Sequence, residues 1–317
     1  MDFFEKCTNA LYASIIGDAL GVPVESSTRQ ELALCSVKNM LGYGRYDQPE
    51  GTWSDDTSMI LCTMDSLTRG YSLEDLGREF CSWLFEGKWT SSGYAFDAGI
   101  TTVTSLENLR SMISPHESGG ASEDDNGNGS LMRILPAALY FAKEKTDVFL
   151  ERIHEISAIT HAHPRSKMGC GIYSLLIRNL LRAEKDKKLT YNYTLEEVSA
   201  FYSKYDDFSD ELTTYERILN NDLPSLEKDK IYSSGYIVHT LEAAIWCFMN
   251  RNTTKDILLE AVNLGLDTDT TGTVAGGLAG VLYGLSEVPE EWLNTLSQKE
   301  SIDELVRKFV NILSPLN

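Results

Sequence analysis

Residues 266–284 read Leu-Asp-Thr-Asp-Thr-Thr-Gly-Thr-Val-Ala-Gly-Gly-Leu-Ala-Gly-Val-Leu-Tyr-Gly. Gly272, Gly276, Gly280 and Gly284 recur at every fourth position, with Ala275 and Ala279 beside them. On a helix that spacing makes one smooth stripe without side chains. A membrane GxxxG helix has a similar stripe, but this segment is too short to span and is flanked by aspartates. Glycine costs about 1 kcal/mol per helix position relative to alanine, so close packing against another element must compensate. The stretch predicts a central, tightly packed helix that holds residues 267–270 rigidly at its N-terminus.

Helical spacing also dominates outward from that segment. Phe4, Cys7, Leu11 and Ile15 trace one face of an opening helix, whose end Gly17 and Gly21 are expected to loosen. Met59, Ile60, Met64 and Leu67 repeat at helical period. Further helices are predicted over 73–83 (with Ser72 as cap), 151–159, 166–183, 195–202, 236–249, 254–264 and 302–313. Alternating strand patterns are scarce. Residues 114–130, 184–194 and 203–235 read as loops, and neither a repeat nor a clean linker divides the chain. The expected fold is all-α, a single compact multi-helix domain over residues 1–317.

A chain of 317 residues with 42% hydrophobic content can bury a large core. Its net charge of −19 argues against a nucleic-acid scaffold and against an anionic membrane surface. Six cysteines, at 7, 35, 62, 81, 170 and 247, form no CxxC pair and read as free, buried, reduced thiols. The first residues lack a basic and an apolar region, so no signal peptide is expected. No run of 18 apolar residues exists, so no membrane span is expected and the cytoplasm is the expected compartment.

The chemistry concentrates in two acidic, hydroxyl-rich clusters: Ser54-Asp55-Asp56-Thr57 and Asp267-Thr268-Asp269-Thr270. Neither has a nearby Cys or His, and carboxylate and hydroxyl oxygens suit Mg²⁺ or Mn²⁺ rather than zinc. Four carboxylates brought to one spot require cations, and one divalent ion would leave them net negative, so two are inferred. Either cluster alone also reads as helix-cap or turn chemistry. An EF-hand is rejected, because its twelfth loop position is Leu278 where a bidentate Glu is needed.

Other segments add weaker signals. Glu25 follows a turn and can face a cleft, while Asp18 on an apolar face requires a buried partner. Asp97 lies in an apolar setting, where it lines a pocket or caps a helix. Residues 125–133 form a glycine-rich turn whose free N–H groups, with a helix N-terminus at Ser130, can hold a phosphate or ribose oxygen; a simple loop explains it as well. His161, in Thr160-His161-Ala162-His163, reads as a hydrogen-bonding or phosphate-contacting group, or as a cap-region histidine. No nucleophile elbow, activated cysteine or dinucleotide-binding glycine motif is present.

Taken in order, these segments resemble the ADP-ribosylglycohydrolase family, which includes the dinitrogenase reductase-activating glycohydrolases. The matching pieces are Gly17-Asp-Ala-Leu-Gly with Glu25, Trp53-Ser-Asp-Asp-Thr57, Gly127-Asn-Gly-Ser-Leu-Met-Arg133, Thr160-His161, and Asp267-Thr-Asp-Thr with Ala275-Gly-Gly, spanning residues 17 to 280. The resemblance implies an all-α fold with a dinuclear metal site in a central cleft, two Mg²⁺ or Mn²⁺ ions with Ser54, Asp55 and Asp56 on one side and Asp267, Asp269 and Thr270 on the other. Asp269 would bridge. It implies catalytic roles for Glu25, Asp56, Asp125 and Asp269 and ligand contacts from Gly127, Asn128 and Gly129; Asp97, Ser130 and His161 join them as substrate-contacting candidates on the residue readings above. Two positions depart from the family pattern: Ser54 where Thr is frequent, and Leu266 where a second Gly is frequent.

The implied reaction is hydrolysis of the N- or O-glycosidic bond between ADP-ribose and an acceptor, either an ADP-ribosylated protein or a small molecule, with ADP-ribosylarginine favoured. Asp125 suits that acceptor because a carboxylate pairs well with a guanidinium. A dimetal nucleotide phosphoesterase and a catalytically silent ADP-ribose binder remain the alternatives.

Overall fold

The computed structural model describes residues 1–182 and 186–315. Among these residues there is no β-sheet, only two isolated bridges, and the expected all-α class holds. The chain opens with α1 (Phe3–Gly21), started by a reciprocal cap in which Asp2 and Glu5 each accept from the other's backbone N–H. Then come α2 (Arg29–Leu34), α3 (Asp55–Leu67), α4 (Leu73–Glu86), capped by Ser72 as predicted, and α5 (Ile100–Arg110). The middle holds α6 (Leu135–Tyr140), α7 (Thr146–Ala158), α8 (Pro164–Arg182) and α9 (Lys187–Tyr202). The short helices α10 (Ser209–Thr214) and α11 (Glu216–Leu219) follow. Last come α12 (Ile237–Asn250), α13 (Thr254–Val262), α14 (Thr268–Tyr283), α15 (Glu290–Asn294) and α16 (Lys299–Ile312).

The glycine stripe lies where the sequence predicts it. α14 is buried along almost its whole length and packs against α1, which runs antiparallel to it. A Cβ on Gly276 would fall 2.3 Å from the carbonyl oxygen of Ala13, one on Gly280 2.3 Å from that of Asn9, and one on Gly272 2.5 Å from that of Gly17. Backbone meets backbone, so only glycine fits. Gly17 and Gly21 therefore do not loosen the end of α1 as expected: the helix runs intact through both, and they give α14 its room.

Other expectations need correction. Residues 187–194 are helical rather than loop, because Asp186 caps α9 by accepting from the Leu189 N–H and Tyr191 and Thr194 are buried. The predicted end of the preceding helix at Ala183, and loop residues 184 and 185, lie outside the described residues. Residues 203–235 carry α10, α11 and three short 3₁₀ turns. Ser130 does not begin a helix; it sits in a turn, and α6 starts at Leu135. Not every thiol is buried, since Cys35 is exposed and Cys81 only half-buried, although all six are free. Among the described residues no helix is long and apolar enough to cross a membrane.

Candidate active site

The α1–α14 contact brings together two helix N-termini. Asp18, fully buried on α1, accepts from the Ser54 N–H (3.1 Å), the Ser54 hydroxyl (2.9 Å) and the Thr57 N–H (2.9 Å) at the start of α3. Burial lifts its carboxyl to about 6 against these bonds. Ser54 in turn accepts from the Asp56 N–H. On the other side the Thr268 hydroxyl donates to Gly21 O (2.8 Å), fixing the first turn of α14 against the end of α1. The Thr270 hydroxyl donates to Asp56 Oδ2 (3.2 Å), joining the two acidic clusters directly.

Glu25 and Asp97 complete the group. Carboxylate oxygens of Glu25, Asp97 and Asp269 lie within 4.8 Å of one another. Six carboxylates, those of Glu25, Asp55, Asp56, Asp97, Asp267 and Asp269, thus converge, and among the described residues none forms an ion pair with a Lys or Arg. Burial first, then mutual repulsion, raises Asp55, Asp56 and Asp269 well above the ordinary carboxylate range. Asp97 is pushed up to about 7, chiefly by burial. Asp56 Oδ1, Asp267 Oδ1 and Asp269 Oδ2 are buried without a hydrogen-bond partner among the described residues. Such an all-oxygen set with orphaned, buried acceptors fits hard divalent cations.

A second trio, Glu123, His163 and Glu211, also has its ligand atoms within 4.8 Å. There Arg165 already neutralises both acids, at 2.8 Å from Glu123 and 2.7 Å from Glu211. Among the described residues Glu25, Asp97 and Asp269 have no such ion pair.

Five of these carboxylates, all but Asp56, line a cavity of about 290 Å³. Gly127, Asn128, Gly129, His161 and Gly235 line it with them. The glycine turn is held in place by short backbone pairings: Asn128 N–H to Gly235 O (3.0 Å), Ile237 N–H to Asn126 O (3.1 Å) and Gly120 N–H to Thr160 O (2.9 Å). A larger cavity of about 500 Å³, around His154, Lys167 and Phe208, lacks any comparable set of convergent carboxylates.

Several expected site residues take supporting positions. Asn128 spends both amide hydrogens, on Asp267 Oδ2 (2.7 Å) and Thr240 Oγ1 (2.8 Å), and so orients Asp267. Asp125 turns into its own loop, accepting from the Ser122 N–H (3.0 Å), the Ser122 hydroxyl (2.6 Å) and the Thr101 hydroxyl (3.0 Å), while its neighbour Asp124 lines the cavity. The Ser130 side chain is buried against Ser157 and Cys170, away from the cavity.

Some participants carry no sequence signal. Tyr46 donates to Glu25 and rests on the Phe96 ring at 5.0 Å, although its loop has no recognisable spacing. Thr240 looks like an ordinary residue of α12. Thr101 and Thr102 come from α5, a helix that periodicity did not reveal.

Comparison with known proteins agrees with this geometry. A sequence model of the ADP-ribosylglycohydrolase family matches residues 1–315. The chain is similar to the ADP-ribosylarginine hydrolase Tri1 of Serratia proteamaculans, at 31% identity over 96% of this chain and 79% of that protein. It is 30% identical to the ADP-ribosyl-[dinitrogen reductase] glycohydrolase of Rhodospirillum rubrum, over 98% of this chain and 96% of the relative. A solved structure titled "ADP-ribosylglycohydrolase-related protein complex" superposes with a TM-score of 0.81 at 27% identity, covering 98% of this chain and 99% of the other.

Proposed function

The chain belongs to the ADP-ribosylglycohydrolase family, and we propose that it is a metal-dependent hydrolase, acting as one domain, that frees ADP-ribose from arginine side chains on protein. The observation that carries the metal-dependent part is the set of six converging carboxylates with orphaned buried oxygens and, among the described residues, no ion pair to a Lys or Arg. The arginine acceptor is supported by relatives named for that activity and by the negative cleft, which complements a guanidinium.

Ser54, Asp55 and Asp56 from the start of α3, with Asp267, Asp269 and Thr270 from the start of α14, would hold two Mg²⁺ or Mn²⁺ ions. Bound there, the ions supply positive charge that steadies ribose hydroxyls and makes water more acidic. The remaining work falls to the chain. Cleavage at the anomeric carbon builds oxocarbenium-like positive charge, which the acidic wall stabilises. Glu25 is the favoured proton carrier, since Tyr46 orients it in the cavity while Asp125 is bound on both oxygens by its own loop and Thr101. Gly127 and Gly129 let the ligand approach the backbone.

The test is release of ADP-ribose from ADP-ribosylarginine and ADP-ribosylserine peptides, with Mg²⁺ or with EDTA. Mg²⁺-dependent release from the arginine peptide is expected. Release from serine alone would reassign the acceptor; phosphate without ADP-ribose would identify a phosphoesterase; tight ADP-ribose binding without turnover would identify a silent binder. Asp269→Ala should lower turnover by more than about 10²-fold, as losing a strong transition-state contact does, and should abolish metal binding. Full activity in that variant would sink the scheme.

A further inference from the structure

Behind the cavity wall lies a buried arginine without a counterion. Arg133 is fully buried, and among the described residues no carboxylate pairs with it. Its guanidinium stacks over the Phe80 ring at 4.4 Å. Nη2 donates to Ile156 O (3.2 Å) and to Thr160 Oγ1 (2.8 Å), while Nε and Nη1 have no hydrogen-bond partner among the described residues. A cation is costly to bury in this way, so its one hydrogen bond to a side chain among the described residues, that to Thr160, is informative.

Arginine can only donate, so Thr160 Oγ1 accepts from it. The hydroxyl's own hydrogen then needs an acceptor. Among the described residues the one within reach is His161 Nδ1, at 2.9 Å. Nδ1 is therefore the bare nitrogen, and the proton of the neutral ring sits on Nε2. Burial, aided by Arg133, pushes His161 down to about 3, so the ring is uncharged at neutral pH.

The dipeptide is clamped as well. Thr160 O accepts from the Ser105 hydroxyl (3.0 Å) and the Gly120 N–H (2.9 Å), and the His161 N–H donates to Ser157 O (2.9 Å). The ring edge reaches the cavity between two glycines: a Cβ on either Gly127 or Gly129 would lie 3.5 Å from Nε2. No protein group among the described residues bonds Nε2.

We propose that Arg133 and Thr160 are positioning residues, a relay that locks His161 in the Nε2–H tautomer so that it donates to an oxygen of the bound ADP-ribose moiety. This rests on the reading of the cavity as an ADP-ribose site. The relay decides a sign. The opposite tautomer would aim a lone pair at the same oxygen and repel it. A permanently charged donor behind Thr160 cannot reverse its role, which a neutral side chain could.

The first measurement is ¹⁵N-histidine NMR of the wild-type protein without ligand. A protonated Nε2 and a bare Nδ1 are expected at His161. A protonated Nδ1 overturns the proposal, whatever the substrate. Next, Thr160→Val removes the hydroxyl at nearly constant shape. It should give mixed tautomers and raise KM for the ADP-ribosylated peptide, or Kd for ADP-ribose, about tenfold, with a smaller change in kcat. Thr160→Ser should restore both readouts. Wild-type tautomer and KM in Thr160→Val, or a Thr160→Ser variant as impaired as the valine one, would overturn the relay. If Thr160→Val fails to fold, the wild-type spectrum and the serine variant still decide. If the wild type hydrolyses neither peptide, the proposed reaction fails, while the spectrum and ADP-ribose affinity still judge the relay.

Discussion

Leu266 holds a backbone φ of 63° and leaves nearly half of its side chain, 45%, in solvent. Two short bonds fix it there, Ser26 N–H to Leu266 O and Leu266 N–H to Ser27 O, both 2.7 Å. The left-handed region costs a residue with a Cβ about 1 kcal/mol, which is the physical reason a second glycine suits this position. The loop keeps its path because the paired bonds to residues 26 and 27 compensate. Leu266→Gly should therefore stabilise the protein by up to about 1 kcal/mol, and Leu266→Val should destabilise it, since a β-branched side chain tolerates this region worst. Urea midpoints should rank Gly above Leu above Val; any other order would place the strain elsewhere. At this scale the sequence was partly readable. Asp18 announced its need for a partner by lying on an apolar face, and Ser54 and Thr57 meet it. The resemblance implies a catalytic role for Asp125, yet Ser122 three residues before it is capping-box spacing, and the structure makes that bond.

Between elements, the contact that matters most is that of α1 with α14. It was legible because a four-residue glycine period has no other good use in a segment too short to cross a membrane and flanked by aspartates. The partner helix was not legible, since Gly17 and Gly21 look like an ending when read alone; what they do depends on a segment some 250 positions away. The helices that escaped notice share a different cause. α5 reads Ile-Thr-Thr-Val-Thr-Ser, rich in β-branched residues with weak helix propensity. The first half of α9 is charged and polar, and is held by its cap and by packing of Tyr191 and Thr194. In both, tertiary contacts override local preference. Gly276→Ala tests the central contact. Its Cβ would meet backbone, at 2.3 Å from Ala13 O, so the helices must separate. A loss of about 2–3 kcal/mol is expected, seen as a lower melting temperature by circular dichroism. Turnover should fall with it, because residues 267–270 ride on α14. An unchanged melting temperature would mean that the two helices are not in backbone contact.

For the whole molecule, the sequence supplied the ligand-type residues and their chemistry but not their common address. Tyr46 and Thr240 join the site through long-range packing alone, and nothing in their own segments marks them. What the assembled site implies for stability follows from charge. Asp55, Asp56 and Asp269 hold protons more tightly folded than unfolded, and Asp97 titrates near 7, against about 3.9 for an unfolded aspartate. Groups raised in this way contribute stability that is complete below the unfolded value and is lost as pH rises through the folded one. His154 and His161, both pushed down to about 3 by burial, act in the opposite sense, but only below about 6.5. Between pH 6.5 and 8 the carboxylates are left to dominate, so in EDTA the melting temperature should fall across that window. Mg²⁺ should raise it, and more at pH 8 than at 6.5, because the ions take the place of the missing protons. At a hundredfold excess over Kd the gain is about 2.7 kcal/mol. Asp269→Asn, with one repelling charge fewer, should flatten the fall in EDTA and blunt the response to Mg²⁺. A melting temperature independent of pH in EDTA and indifferent to Mg²⁺ would mean that the six carboxylates do not share one buried field.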